Sequence, residues 1–105
     1  MIISTTEHLP GHQYKVLGGV MGIVTMSPNV VSNLGASLKN LIGGEIGAYT
    51  KIVAKSRDRA LNRMKSNAQK LGADAVVMMR FDSDSISRDM ETVIAYGTAV
   101  KFTDK

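Results

Sequence analysis

The chain has 105 residues and a mass of 11.3 kDa, which is about one domain, 1–105, with a core that needs no staples. Hydrophobic residues make up 44 % and charged residues 21 %, so the composition is globular and not that of a disordered chain. Cysteine is absent, which excludes disulfide scaffolds, thiolate metal sites, iron–sulfur clusters and cysteine nucleophiles. The net charge of +4 is concentrated: Glu45 to Leu71 holds seven bases and two acids, and the rest of the chain six bases and seven acids. Any affinity for an anionic partner therefore has to come from that segment.

Met1 to Thr6 is short, apolar and β-branched, and reads as a strand. A turn follows at Pro10-Gly11. Tyr14 to Met26 is a long strand with apolar residues in both period-2 sets. Such a strand has to be covered on both faces, and a chain this small has few layers to do it, so a partner subunit is expected. Gly18, Gly19 and Gly22 suggest a bulge or bend within it. Val30, Val31, Leu34, Leu38, Leu41 and Ile42 recur at helical spacing, and Gly43-Gly44 stops this first helix. A second, longer helix starts near Glu45, with an apolar stripe through Ile46, Tyr49, Val53, Ala60, Met64, Ala68 and Leu71. Gly72 supplies the cap at its end. Ala75 to Phe81 is a buried-type strand, the polar run Asp82 to Asp89 reads as a hairpin loop, and Thr92 to Phe102 is the last strand. The order β-β-α-α-β-β predicts an α+β domain, two layers deep, with an antiparallel sheet packed on the long helix. No apolar run approaches the roughly 18 residues of a membrane span, and Met1-Ile2-Ile3-Ser4 lacks the basic flank of a signal peptide. A cytoplasmic location is expected.

The chemistry-bearing residues are few. The glycines at 18, 19 and 22 and at 43, 44 and 47 fit neither nucleotide-binding glycine pattern. His8 and His12 are four apart, but Pro10-Gly11 between them forbids the helix that would aim both rings at one metal. A loop could gather them with Glu7 as a third ligand; two solvated loop histidines is the simpler reading. Asp82-Ser83-Asp84 opens like a calcium loop, but Ser87 and Val93 stand where glycine and glutamate are needed. The seven methionines read as core or interface filler rather than copper ligands. The charges of the basic helix 45–71 are taken to fall all round its polar face, with only Tyr49 among the aromatics, so nucleic-acid binding is not expected. No nucleophile is paired with a base, and no catalytic residue is assigned. The helix corner Gly43, Gly44, Glu45, Gly47 and Tyr49 is the candidate ligand or subunit contact, because two glycines and a free helix N-terminus let a partner approach the backbone.

Tyr14-Lys-Val-Leu-Gly-Gly-Val-Met-Gly-Ile-Val, Leu34-Gly-Ala-Ser-Leu-Lys-Asn-Leu-Ile-Gly-Gly-Glu, Leu71-Gly-Ala-Asp-Ala-Val-Val and Tyr96-Gly-Thr-Ala-Val resemble the YbjQ-like family of small bacterial proteins, also labelled "putative heavy-metal-binding". The resemblance spans nearly the whole chain. It implies a dodecin-like α/β subunit that assembles into a ring, typically a homopentamer, and it implies no reaction. The resulting expectation is a non-enzymatic, ring-forming binding or structural module that carries a small ligand or metal of unknown identity. The alternatives are an enzyme whose site is shared between subunits, and a weak nucleic-acid binder acting through the basic helix.

Overall fold

In the computed structural model, the described residues are 1–26, 47–87 and 90–104, with the side chains of 47–49 and 85–90 outside that description. The predicted first helix and its Gly43-Gly44 stop lie outside the described residues. The elements are strand β1 (Ile2–Ile3), strand β2 (Tyr14–Met26), helix α1 (Gly47–Lys70), strand β3 (Ala75–Ser87) and strand β4 (Met90–Phe102). The four strands form one sheet in the order β1-β3-β4-β2.

β2 and β3 both pair antiparallel with β4, while β1 pairs parallel with β3 through Ile2↔Ala75 and Ile3↔Val76. The sheet is therefore mixed, not antiparallel throughout. β1 is also shorter than Met1 to Thr6, although Ser4 and Thr6 still bond β3 beside its bulge. Ser4 N–H donates to Val76 O (2.9 Å), Met79 N–H to Ser4 O (2.9 Å) and Met78 N–H to Thr6 O (3.2 Å). There β3 bulges between Val77 and Arg80, and Met78 takes a φ of 54°, a left-handed angle unusual for a side chain of its size.

Of the polar run Asp82 to Asp89 expected as a loop, residues 82–87 are strand. β3 continues to Ser87 and pairs across Asp82↔Ile94 and Asp84↔Thr92, and β4 resumes at Met90. Polar composition there marks a strand exposed on both faces, with Asp82, Ser83 and Asp84 all open to water.

β2 has its predicted bounds, and the register places Val20, Gly22 and Val24 opposite Gly97, Ala95 and Val93. This row faces α1, and with Ala60, Met64 and Ala68 it forms the main core. The α1 residues in that core fall four apart, as one helix face requires. The small residues matter: a Cβ at Gly22 would collide with Ala60 O and Met64 N, so glycine there admits the helix to backbone contact. The bulge expected from the β2 glycines is at Gly18, where the register shifts between Val16 and Gly18. At the far end of α1, Gly72 has φ +79°, with Gly72 N–H donating to Gln69 O (3.0 Å) and Ala73 N–H to Ala68 O (3.1 Å). These bonds form a Schellman cap. Leu71, expected on the apolar stripe, is exposed, because it follows the last helical residue and leaves the buried face.

A second, smaller cluster of Leu9, Ala75, Val77 and Val100, flanked by Tyr14 and Phe102, closes one end of the opposite sheet face. The Tyr14 hydroxyl donates to Glu7 O (2.8 Å), pinning the 7–13 segment over it.

Candidate functional site

Of the predicted helix corner, Gly43, Gly44 and Glu45 lie outside the described residues, as does the side chain of Tyr49. Gly47 begins α1. The corner is thus neither assembled into a pocket nor taken apart.

The two histidines have separate surroundings. His8 is exposed, and its carbonyl accepts a hydrogen bond from the Thr6 hydroxyl (2.9 Å). His12 is half-buried, stacks on Phe102 with ring centroids 4.0 Å apart, and donates from Nδ1 to Asp104 Oδ2 (3.2 Å). Asp104 also accepts from Gln13 N–H (3.2 Å), so the carboxylate ties the C-terminal end to the loop. Glu7 offers its backbone carbonyl to Tyr14.

α1 shows an arrangement that the sequence reading missed. Four of the seven cations of α1, Lys51, Lys55, Arg59 and Arg63, repeat every four residues as a row along one side, while Arg57, Lys65 and Lys70 fall off that step. Lys55 and Arg59 border a cavity of about 330 Å³ with Val24, Thr25, Met26, Ile52 and Ser56. Farther along, Arg63 donates to Ile23 O and Asn67 to Met21 O (2.8 Å). The row therefore runs beside β2, an edge of the sheet, and Arg63 with Asn67 one turn on covers two of its outer carbonyls. Arg57 points the other way and sits 5.1 Å above the Phe81 ring of β3.

The sheet face away from α1 is the other notable surface. By register Met21 lies beside Tyr96, Ile23 beside Ile94, and Thr25 beside Thr92. Met21 is 52 %, Ile23 44 % and Tyr96 42 % exposed, while their neighbours Val24 and Ala95 on the helix side are 3 % and 0 % exposed. Both-face apolarity in β2 is real, but among the described residues only the α1 face is covered at Met21, Ile23 and Tyr96, although Thr92 farther along the far face is buried. Asp82 and Asp84 border the uncovered face on β3 and are exposed. Thr92 Oγ1 is buried without a hydrogen-bond partner.

With this geometry in view, comparison with known proteins is direct. A family model described as "putative heavy-metal-binding", YbjQ, matches residues 1–103. The chain belongs to the YbjQ family. A UPF0145 protein of Limosilactobacillus fermentum is 57 % identical over 105 residues, covering 100 % of this chain and 94 % of the relative. Its counterpart in Latilactobacillus sakei is 60 % identical over 104 residues, covering 99 % of this chain and 96 % of the relative. That of Enterococcus faecalis is 53 % identical over 102 residues, covering 97 % of this chain and 99 % of the relative. The crystal structure of a protein of unknown function from Pediococcus pentosaceus, assigned to the DUF74 family, superposes with a TM-score of 0.63 at 14 % identity and covers 97 % of both chains. That likeness shows the fold: α+β, with a helix on a four-stranded sheet.

The family description invites a test of the donor set. Cysteine is absent from the sequence, and among the described residues no three of His, Asp and Glu converge to hold a metal ion. His12 has Nδ1 held by Asp104 and its ring stacked on Phe102, so Nε2 is the nitrogen left to coordinate, and no second imidazole converges on it among the described residues. The described part of one chain therefore does not fit a heavy-metal site, which needs several convergent soft or imidazole donors. No described helix is long and apolar enough to cross a membrane.

Proposed function

We propose that this YbjQ-family protein is a non-catalytic, self-assembling module whose copies join into a ring through the sheet face that α1 leaves uncovered. The supporting observation is that Met21, Ile23 and Tyr96 stand together on that face, each more than two-fifths exposed. Large apolar side chains grouped on one face mark an interaction surface, whereas scattered ones do not. Burying them contributes roughly 25 cal/mol for each Å² removed from water. A ring of five copies is the number that the family resemblance favours, and any cargo, small ligand or metal, would then be held by groups from more than one copy.

The test is light scattering at micromolar concentration, where the reading requires a mass several times 11.3 kDa, and five times for a pentamer. Met21→Asp with Ile23→Asp should bring the mass down to one chain and leave the far-ultraviolet circular dichroism unchanged, since neither side chain is in the core. A wild-type protein that stays at 11.3 kDa refutes the proposal.

A further inference from the structure

The cation row flanks the β2 edge in the helix layer, and two acids border the uncovered sheet face on β3, so the two patches are of opposite charge. α1 carries seven cations against one acid, Asp58. Among the described residues the ion pairs are His12–Asp104 and Lys101–Asp74, so Lys51, Lys55, Arg59 and Arg63 are uncompensated. Asp82 and Asp84 are exposed and likewise in no ion pair among the described residues. Arg80, the cation of the same β3 row, is turned to the Thr5 and Met79 carbonyls (2.9 and 2.8 Å). Within one chain the two acids cannot meet the row, because β4 and β2 lie between β3 and the outer side of α1.

The spacings match. Residues two apart on a strand project to the same face about 6.7 Å apart. Residues four apart on a helix are separated by about 6 Å along its axis. Asp82 and Asp84 can therefore stand over Lys55 and Arg59 of another copy, one carboxylate to each cation. In that placement the uncovered face of one copy rests on the helix side of the next.

We propose that copies of this chain stack head to tail, the acidic border of the uncovered sheet face, Asp82 and Asp84, docking on the Lys55 and Arg59 row of the next copy's helix. This rests on the self-assembly reading and names its partner surfaces. Because the two patches differ, the contact is heterologous, and repeated contacts of that kind close into a ring or run on as a filament. The apolar side chains supply affinity; the charges set orientation and exclude the face-to-face alternative, which brings no row of cations to the acids.

Two variants and their mixture test it. Lys55→Glu with Arg59→Glu makes both patches acidic, and Asp82→Lys with Asp84→Lys makes both basic. All four positions are exposed, so circular dichroism should match the wild type. At 0.15 M salt each variant alone should scatter as a single chain, and an equimolar mixture should recover species larger than a dimer. A multimeric wild type whose mass neither variant changes overturns the stacking but leaves self-assembly standing. A monomeric wild type removes both. A mixture that stays monomeric, or stops at a dimer, also overturns the head-to-tail contact. A labelled single-stranded oligonucleotide serves as the last probe. If it binds tightly at the same salt, and Lys55→Glu with Arg59→Glu abolishes that binding without changing the mass, the row serves nucleic acid and the proposal fails.

Discussion

The same strands supply both faces of the sheet, yet the two faces use residue size in opposite ways. Toward α1, β2 and β4 present Gly22, Val24, Val93 and Ala95, and the helix answers with Ala60, Met64 and Ala68. Small residues there bring two backbones together, so one long side chain, Met64, fills what remains. On the other face the strands present Met21, Ile23, Ile94 and Tyr96, and no described element covers them; only the end under Leu9 is closed. A face built of small residues is complete once its helix has docked. A face built of large ones still has area to bury, which is why the uncovered side is where assembly is placed.

The sharpest way to break that comparison is to add one methyl group to each face. Gly22→Ala forces a Cβ into the Ala60 carbonyl and the Met64 amide, and should cost about 3 kcal/mol, as severe overpacking does. Gly19→Ala lies three residues away on the same strand, where the nearest atom is Gly97 O at 4.0 Å, and should stay within about 0.5 kcal/mol. Urea denaturation of the two variants settles it; equal losses would mean that the helix does not seat on Gly22.

Truncating a methionine on each face sharpens the point. Met64 is fully buried, and Met64→Ala should lose about 3 kcal/mol through lost transfer energy and the cavity left behind. Met21→Ala should lose under about 1 kcal/mol of chain stability. Its effect should appear as weaker assembly, read as a light-scattering mass that falls on dilution sooner than the wild type's.

The smallest expected effect concerns the bulge between the faces. Met78 holds φ at 54°, a conformation that costs a side chain roughly 1–2 kcal/mol and glycine almost nothing. Glycine also loses about 0.5–1 kcal/mol more in chain entropy on folding. Met78→Gly should therefore raise stability by roughly 0.5 kcal/mol, seen as a small upward shift in Tm. A clear loss would show that the Met78 side chain contributes packing that its exposure conceals.

The candidate site was less legible than the fold. The residues at 43, 44 and 45 were chosen for what glycines and a helix start permit, and they fall outside the described residues. The histidines stand four apart in sequence, yet the tertiary structure gives His12 to Phe102 and Asp104, some ninety positions along the chain, and leaves His8 in solvent. The cation row was readable: Lys51, Lys55, Arg59 and Arg63 keep a strict step of four. Arg57, Lys65 and Lys70, which break that step, made the helix look evenly charged. Asp82 to Ser87 was misread for a related reason, since polarity reports exposure and strand pairing depends on the partner, here Met90 to Ile94.

The sequence by itself determined what local interactions decide: the bounds of β2, the presence of the long helix and its end at Gly72, where a left-handed angle is needed one residue past the last turn. Only the tertiary structure decided which face of β2 is sealed, that Gly22 serves helix contact rather than a bend, that β1 runs parallel to β3, and that the acids border the uncovered sheet face while the cation row flanks the β2 edge. Each of these joins residues that lie tens of positions apart. Hydrophobic period and cap chemistry specify an element and its stripe, but the pairing of stripes is fixed only when the whole set of layers is assembled.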